Sequence, residues 1–136
     1  MRVYDRKSRA GFTLIELMVV ILIVAILASI AIPILRGRID ETKWSEGKAM
    51  MGSIATAIRA YHGEKGLAGA PPTSLGLGAT GLGFIAGDLT GTYFVDGDFS
   101  FSVTSMNPLQ FTVTANKATL TPTSYRLDQA GNWTNP

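Results

Sequence analysis

The sequence predicts an α+β fold: one long N-terminal helix, apolar in its first half and amphipathic in its second, packed on a C-terminal antiparallel sheet of about four strands. Three observations carry this. From Phe12 to Leu35 the chain is apolar, with Glu16 as its one ionisable side chain. Ile39, Met50 or Met51, Ile54, Ile58 and Tyr61 then recur at the three- and four-residue intervals of a helix face. Beyond residue 92 the period falls to two, that of a half-buried strand. At 136 residues the chain suffices for one small domain and excludes a multidomain enzyme.

The first eleven residues, MRVYDRKSRAG, hold Arg2, Arg6, Lys7 and Arg9 against Asp5 alone. Leu17 to Leu35 are 19 residues without a charge, which as a helix reach ~28 Å, the apolar thickness of a bilayer. A basic flank before an apolar run also describes a secretory signal peptide, and Ala28-Ser29-Ile30-Ala31 would serve as its cleavage site. Glu16 speaks against that reading, because a signal peptide has no use for an acid there. Four Lys/Arg precede the span and two, Arg36 and Arg38, follow it, so the N-terminus is expected on the cytoplasmic side. Glu16 either needs a partner, since an ionised carboxylate in apolar surroundings costs several kcal/mol, or reaches back to the interface from four residues after Phe12.

The junction Arg9-Ala10-Gly11-Phe12-Thr13-Leu14-Ile15-Glu16 resembles the prepilin cleavage and methylation motif of bacterial type IV pilins and of the pseudopilins of type II secretion. The resemblance continues through Pro33 to about residue 35 and more loosely to Tyr61. It implies a pilin-like fold in four parts: a leader, 1–11, removed on maturation; a transmembrane and filament-core helix, 12–35; an amphipathic half, 36–63; and a loop and sheet, 64–136, forming one globular domain with 36–63. It implies further that a prepilin peptidase and methyltransferase cuts between Gly11 and Phe12 and methylates the new amine of Phe12. That amine and Glu16 then pair between neighbours during assembly. The expected product is a homo-oligomeric helical filament, built at an inner-membrane assembly platform from single-pass subunits and carried to the cell surface. Pro33 lacks an amide hydrogen, so the helix is expected to kink there.

Further along, Gly37, Gly47 and Gly52 each weaken a helix by roughly 1 kcal/mol relative to Ala, and Gly63 or Gly66 offers a stop. Trp44 reads as an inter-subunit contact or a half-buried side chain. Residues 66–91, rich in Gly and Ala around Pro71-Pro72, form a loop that either presents variable surface or packs over the core. Asp96-Gly97 reads as a hairpin turn out of Tyr93-Phe94-Val95. Phe99 to Thr104 and Leu109 to Thr114 alternate strictly and turn at Asn107-Pro108, and Tyr125-Arg126-Leu127 offers a last strand. Trp133 reads as closing a sheet edge.

Zero Cys removes disulfides and thiolate sites, and one His, His62, leaves no zinc cluster and no visible triad. Asp88, Asp96, Asp98 and Asp128 are possible oxygen ligands, but turn chemistry accounts for them. Asn132-Trp133-Thr134 fits the glycosylation pattern. No catalytic residue, metal or cofactor is expected. Without residues 1–11, eight basic and nine acidic side chains remain, so the formal +2 belongs to the leader and no nucleic-acid partner is expected.

Overall fold

The computed structural model describes residues 11–135. The chain divides into two compact units, one ending at Arg36 and one beginning at Gly37. Helix α1, Leu14–Lys65, contributes to both. Four strands follow: β1 (Phe99–Met106), β2 (Leu109–Asn116), β3 (Ser124–Asp128) and β4 (Trp133–Thr134). They pair antiparallel in the order β1-β2-β3-β4, a simple meander. The α+β architecture expected from the sequence is the observed one.

Among the described residues nothing covers the helix in the first unit. Side chains from Leu14 to Leu35 are exposed apart from Ala28, which is half-buried. Among the described residues this is the one helix long and apolar enough to cross a membrane. A bare stripe of that size is unstable in water and finds its cover in lipid or in another protein.

The second unit builds its core where the helical and strand periods meet. Trp44, Gly47, Met51, Ile54, Ala55, Ile58 and Tyr61 form the buried face of α1. Against them stand Phe99 of β1, Phe111, Val113 and Ala115 of β2, and Leu127 of β3, in registers Phe99↔Ala115 and Val113↔Leu127. Each large apolar side chain buried this way contributes ~1.5–3 kcal/mol. Alternate residues Ser100, Ser102, Thr104 and Gln110 face water, as the period of two requires. The helix ends where Gly66, at φ 72°, donates its N–H to the His62 carbonyl at 2.8 Å, a left-handed cap that L-residues with side chains rarely adopt. His62 itself sets Nε2 2.9 Å from the Met106 carbonyl, tying the helix end to β1.

Three expectations are corrected. Trp44 is not at the surface: it is 1% exposed, its ring packs on Phe94 and Tyr125 with centroids 5.0 and 4.8 Å away, and its Nε1–H donates to the Pro122 carbonyl at 2.8 Å. Ile39 is exposed and lies outside the core face, which begins at Trp44. Tyr93-Phe94-Val95 is not a strand, and Asp96–Asp98 is a 3₁₀ turn rather than a hairpin turn. The physical reason is Glu46, whose carboxylate accepts the successive amides of Thr92, Tyr93 and Phe94 at 3.1, 2.9 and 3.0 Å, so no donors remain for a ladder. The fourth strand is instead Trp133–Thr134, which closes the sheet edge.

The anchored loop presses Phe94 onto α1 at Gly47, where a Cβ would stand 2.7 Å from Phe94 Cζ. Gly52, five residues further along the helix, has open space. The two glycines therefore respond in opposite directions. Gly52→Ala raises stability by about 1 kcal/mol through helix propensity, whereas Gly47→Val displaces the fully buried Phe94 and lowers it by about 1–3 kcal/mol. Thermal unfolding of the two variants beside the parent checks this pair.

Of the connecting loop, Leu89 and Pro72 are buried and Leu75, Leu82 and Phe84 pack on the core, while Leu67, Leu77 and Ile85 are exposed. The loop both covers the core and presents surface.

Candidate functional site

The residues singled out at the junction lie at the N-terminal end of α1, Gly11 and Phe12 just before it and Glu16 in its first turn. Gly11 is exposed with open space around its Cα, and Phe12 is 90% exposed. Thr13 is the cap: its backbone N–H and its hydroxyl both donate to Glu16 Oε2, at 2.9 and 2.8 Å. Glu16 returns the bond, its N–H reaching Thr13 Oγ1 at 3.3 Å. This is a reciprocal capping box, which satisfies helix N–H groups that have no partner within the helix. A carboxylate in the first turn also meets the positive end of the helix dipole. Glu16 therefore has a partner within its own chain, Thr13, which the charge argument alone did not identify. The spacing Thr13-x-x-Glu16 before an apolar run was the signal that reveals it.

Around this turn the surface is apolar. Phe12, Ile15, Glu16, Val19 and Val20 line one shallow groove, and Ile15, Met18, Ile21, Leu22 and Ala25 another beside it. Glu16 is the one charged side chain on them. A surface of this kind suits lipid or another apolar helix, and its one carboxylate suits a cation. Pro33 lies inside α1, well beyond this cluster. The Arg2, Arg6, Lys7 and Arg9 cluster and residues 1–10 of the expected leader, 1–11, lie outside the described residues.

The other candidates are bound into the fold. Asp96 accepts from the amides of Gly87 and Leu89 and from the Thr90 hydroxyl, organising the approach to β1. Asp98 pairs with Lys117 at 2.7 Å and Asp88 caps Ile85 at 2.9 Å. Asp128 gathers Ala130 N–H, Asn132 N–H and Asn132 Nδ2, each at 2.9 Å, to form the β3–β4 turn, which engages the side chain of the Asn132 pattern. No three metal-ligating side chains gather among the described residues.

These carboxylates make the fold acid-sensitive. Burial pushes the Glu46 carboxyl up, but the amides of Tyr93, Phe94 and Thr92, aided by the Lys117 charge, bring it below its ordinary value. The Gly87 amide holds Asp96 low, and the Asn132 side-chain and backbone amides hold Asp128 low. A carboxyl depressed in the folded state contributes stability that is present above its unfolded value, about pH 4, and lost as pH falls through the folded one. Melting temperature is therefore expected to drop as pH is lowered below about 4, and Glu46→Gln to show a smaller drop than the parent over the same range.

Comparison with known proteins points to the same end of the chain. Residues 6–32 match the prokaryotic N-terminal methylation motif. The chain is 37% identical over 75 residues to the fimbrial protein EcpC of Eikenella corrodens, covering 55% of this chain and 49% of that protein. It is 40% identical over 57 residues to the type II secretion system core protein G of Pseudomonas aeruginosa, covering 42% and 40%. It is 39% identical over 85 residues to the type IV major fimbrial protein FimA of Dichelobacter nodosus, covering 62% and 52%. The chain spans about half the length, or less, of these relatives. No solved structure is significantly similar to it. The chain bears the prokaryotic N-terminal methylation motif and is similar, over part of its length, to type IV pilins and to a type II secretion pseudopilin.

Proposed function

We propose that the chain is a structural subunit that polymerises into an extracellular helical filament through its apolar N-terminal helix. The observation that carries this reading is the uncovered apolar face of Leu14–Leu35 carrying one acid, Glu16, in a motif matched over residues 6–32. Before assembly the face of residues 12–35 rests in the inner membrane as a single pass, with residues 1–11 on the cytoplasmic side. A prepilin peptidase and methyltransferase cuts after Gly11 and methylates the amine of Phe12. The cut creates a cation four residues from Glu16. At an inner-membrane platform the face then exchanges lipid for identical helices. Repetition of one patch on a different patch does not close, so it generates a filament. In a water-poor filament core, the amine of an incoming subunit and the Glu16 carboxylate of a neighbour attract far more strongly than in bulk water, which sets register. Pro33 lets the helix loosen locally as subunits pack.

Shearing cells and collecting filaments tests the reading. Filaments containing this chain, with residues 12–35 packed inside when imaged at side-chain resolution, are the expected result; a chain found only as dispersed membrane monomer overturns it. The similarity to core protein G favours a second reading, a type II secretion pseudopilin in a short periplasmic filament. Absence of sheared surface filaments together with cross-linked periplasmic oligomers distinguishes that case.

A further inference from the structure

Two large apolar side chains of the second unit stay at the surface close to where α1 leaves its apolar run. Ile39 is 44% exposed and Tyr93 46% exposed. They come from distant parts of the chain and share one flank of α1. Lys43 follows Ile39 by one helical turn, and its Nζ lies 5.6 Å from the centroid of the Tyr93 ring. Tyr93 is fixed there, because the Glu46 carboxylate accepts the amides of Thr92, Tyr93 and Phe94. Phe94 turns into the core and Tyr93 out of it.

Chain length says what lies beside them. The 19 uncharged residues from Leu17 to Leu35 match the apolar thickness of a bilayer. Ile39 comes four residues later in the same helix, ~6 Å further along its axis, and the headgroup layer outside the hydrocarbon is about 5–8 Å deep on each side. Helical side chains tilt toward the N-terminus, so Ile39 and Lys43 lean back toward the span. A tyrosine ring, with its apolar body and polar tip, belongs to the residue types that collect at this depth. The charges on the flank are balanced: Arg38 faces Glu41 at 3.5 Å and Lys43 faces Asp40 at 3.9 Å. Apolar and aromatic surface, not net charge, is what the flank offers.

We propose that this flank, Ile39 and Tyr93 around the stem of Lys43, rests before assembly in the zwitterionic headgroup layer of the leaflet that the second unit faces. The contact presupposes that residues 12–35 cross the membrane once, as proposed above. It gives the unassembled subunit a preferred lean, since interfacial aromatic and basic anchors set the tilt of a spanning helix. The subunit gives the contact up when it leaves the membrane. Because the contact depends on apolar and aromatic surface, salt does not release it.

The test uses the full-length chain in phosphatidylcholine nanodiscs, with and without a headgroup spin label that erases the amide NMR signals of residues near it. Loss of the Thr92, Tyr93 and Phe94 signals is expected, at low and at high salt alike. The signals of His62, ~40 Å beyond Leu35 along α1, and of Met106, to which His62 is bonded, are expected to persist. Amides from Arg38 to Lys43 are lost in any inserted chain, so residues 92–94 carry the decision. Ile39→Ser combined with Tyr93→Ser changes two exposed side chains and leaves the backbone bonds to Glu46 in place. In that variant the signals of residues 92–94 are expected to return while those of Arg38 to Lys43 stay lost. Three results would overturn the proposal: signals of residues 92–94 that survive in the parent, equal loss in the double variant, or loss that requires added phosphatidylglycerol. A chain whose Arg38 to Lys43 signals also survive has not inserted, which overturns the single-pass reading itself and this contact with it.

Discussion

Glu16→Ala is expected to insert into the membrane as well as the parent does and to yield no detectable filaments. Insertion survives because the substitution removes the one ionisable side chain from the apolar segment, and with it a desolvation cost. Assembly is expected to fail because the proposed pairing then leaves the Phe12 amine without its carboxylate in the filament core. Removing one partner of a buried ion pair costs about 3–5 kcal/mol, which is roughly 10²–10⁴-fold in the association constant per subunit added. The alanine also loses the capping contacts with Thr13, so a second variant separates cap from charge. Glu16→Gln keeps an oxygen for the Thr13 N–H and hydroxyl but carries no charge. If the charge matters, Glu16→Gln also lacks filaments; if the cap alone matters, it makes them normally. Membrane fractionation and counts of sheared filaments read both variants.

Trp44→Ala is expected to destabilise the second unit more than any other single truncation in the core. The side chain is fully buried, packs tilted against Phe94 and edge-on against Tyr125, and satisfies the Pro122 carbonyl. Replacing a buried Trp by Ala costs about 3–5 kcal/mol, a large share of the 5–15 kcal/mol that holds a typical domain together. For a unit of this size a loss of that order lowers the melting temperature by more than about 12 °C. Trp44→Phe keeps a ring in the stack and orphans only the carbonyl, so it falls between the two. The contrasting expectation belongs to a surface contact: were Trp44 an inter-subunit residue, the alanine variant would melt like the parent and lose only filament stability. Thermal unfolding of the chain in micelles decides between them.

The place where reading the sequence failed at Trp44 is instructive. A stripe anchored on Ile39 and the methionines leaves Trp44 off the face, because Gly47 hides the register. Counted with Gly47 as a buried position, Trp44, Gly47, Met51, Ile54, Ile58 and Tyr61 follow the helical period without a gap. The glycine is small so that Phe94 can approach, and Phe94 arrives from 47 residues away. No local pattern encodes that meeting. Likewise Tyr93-Phe94-Val95 carries strong strand propensity, yet a carboxylate on α1 takes its amides, a tertiary contact that overrides the local preference. By contrast β1 and β2 were legible because strict alternation reports a half-buried strand directly, and the turn Asn107-Pro108 fixed where one ends. The junction was the most legible part, since Gly11, Phe12 and Glu16 are adjacent in sequence and their proposed roles depend on few distant residues. Even there the Thr13 cap is carried only by the Thr13-x-x-Glu16 spacing, beside a more conspicuous charge.

The proposed function requires that residues 1–11 be a removable leader and that the chain work from a new terminus at Phe12. Intact-mass and N-terminal peptide mass spectrometry of the mature protein, purified from cells, checks this. The expected product is a chain beginning at Phe12 and carrying one methyl group on its amine. A chain that retains Met1, or one cut near Ala31, would contradict it, because neither offers the amine that Glu16 is proposed to meet.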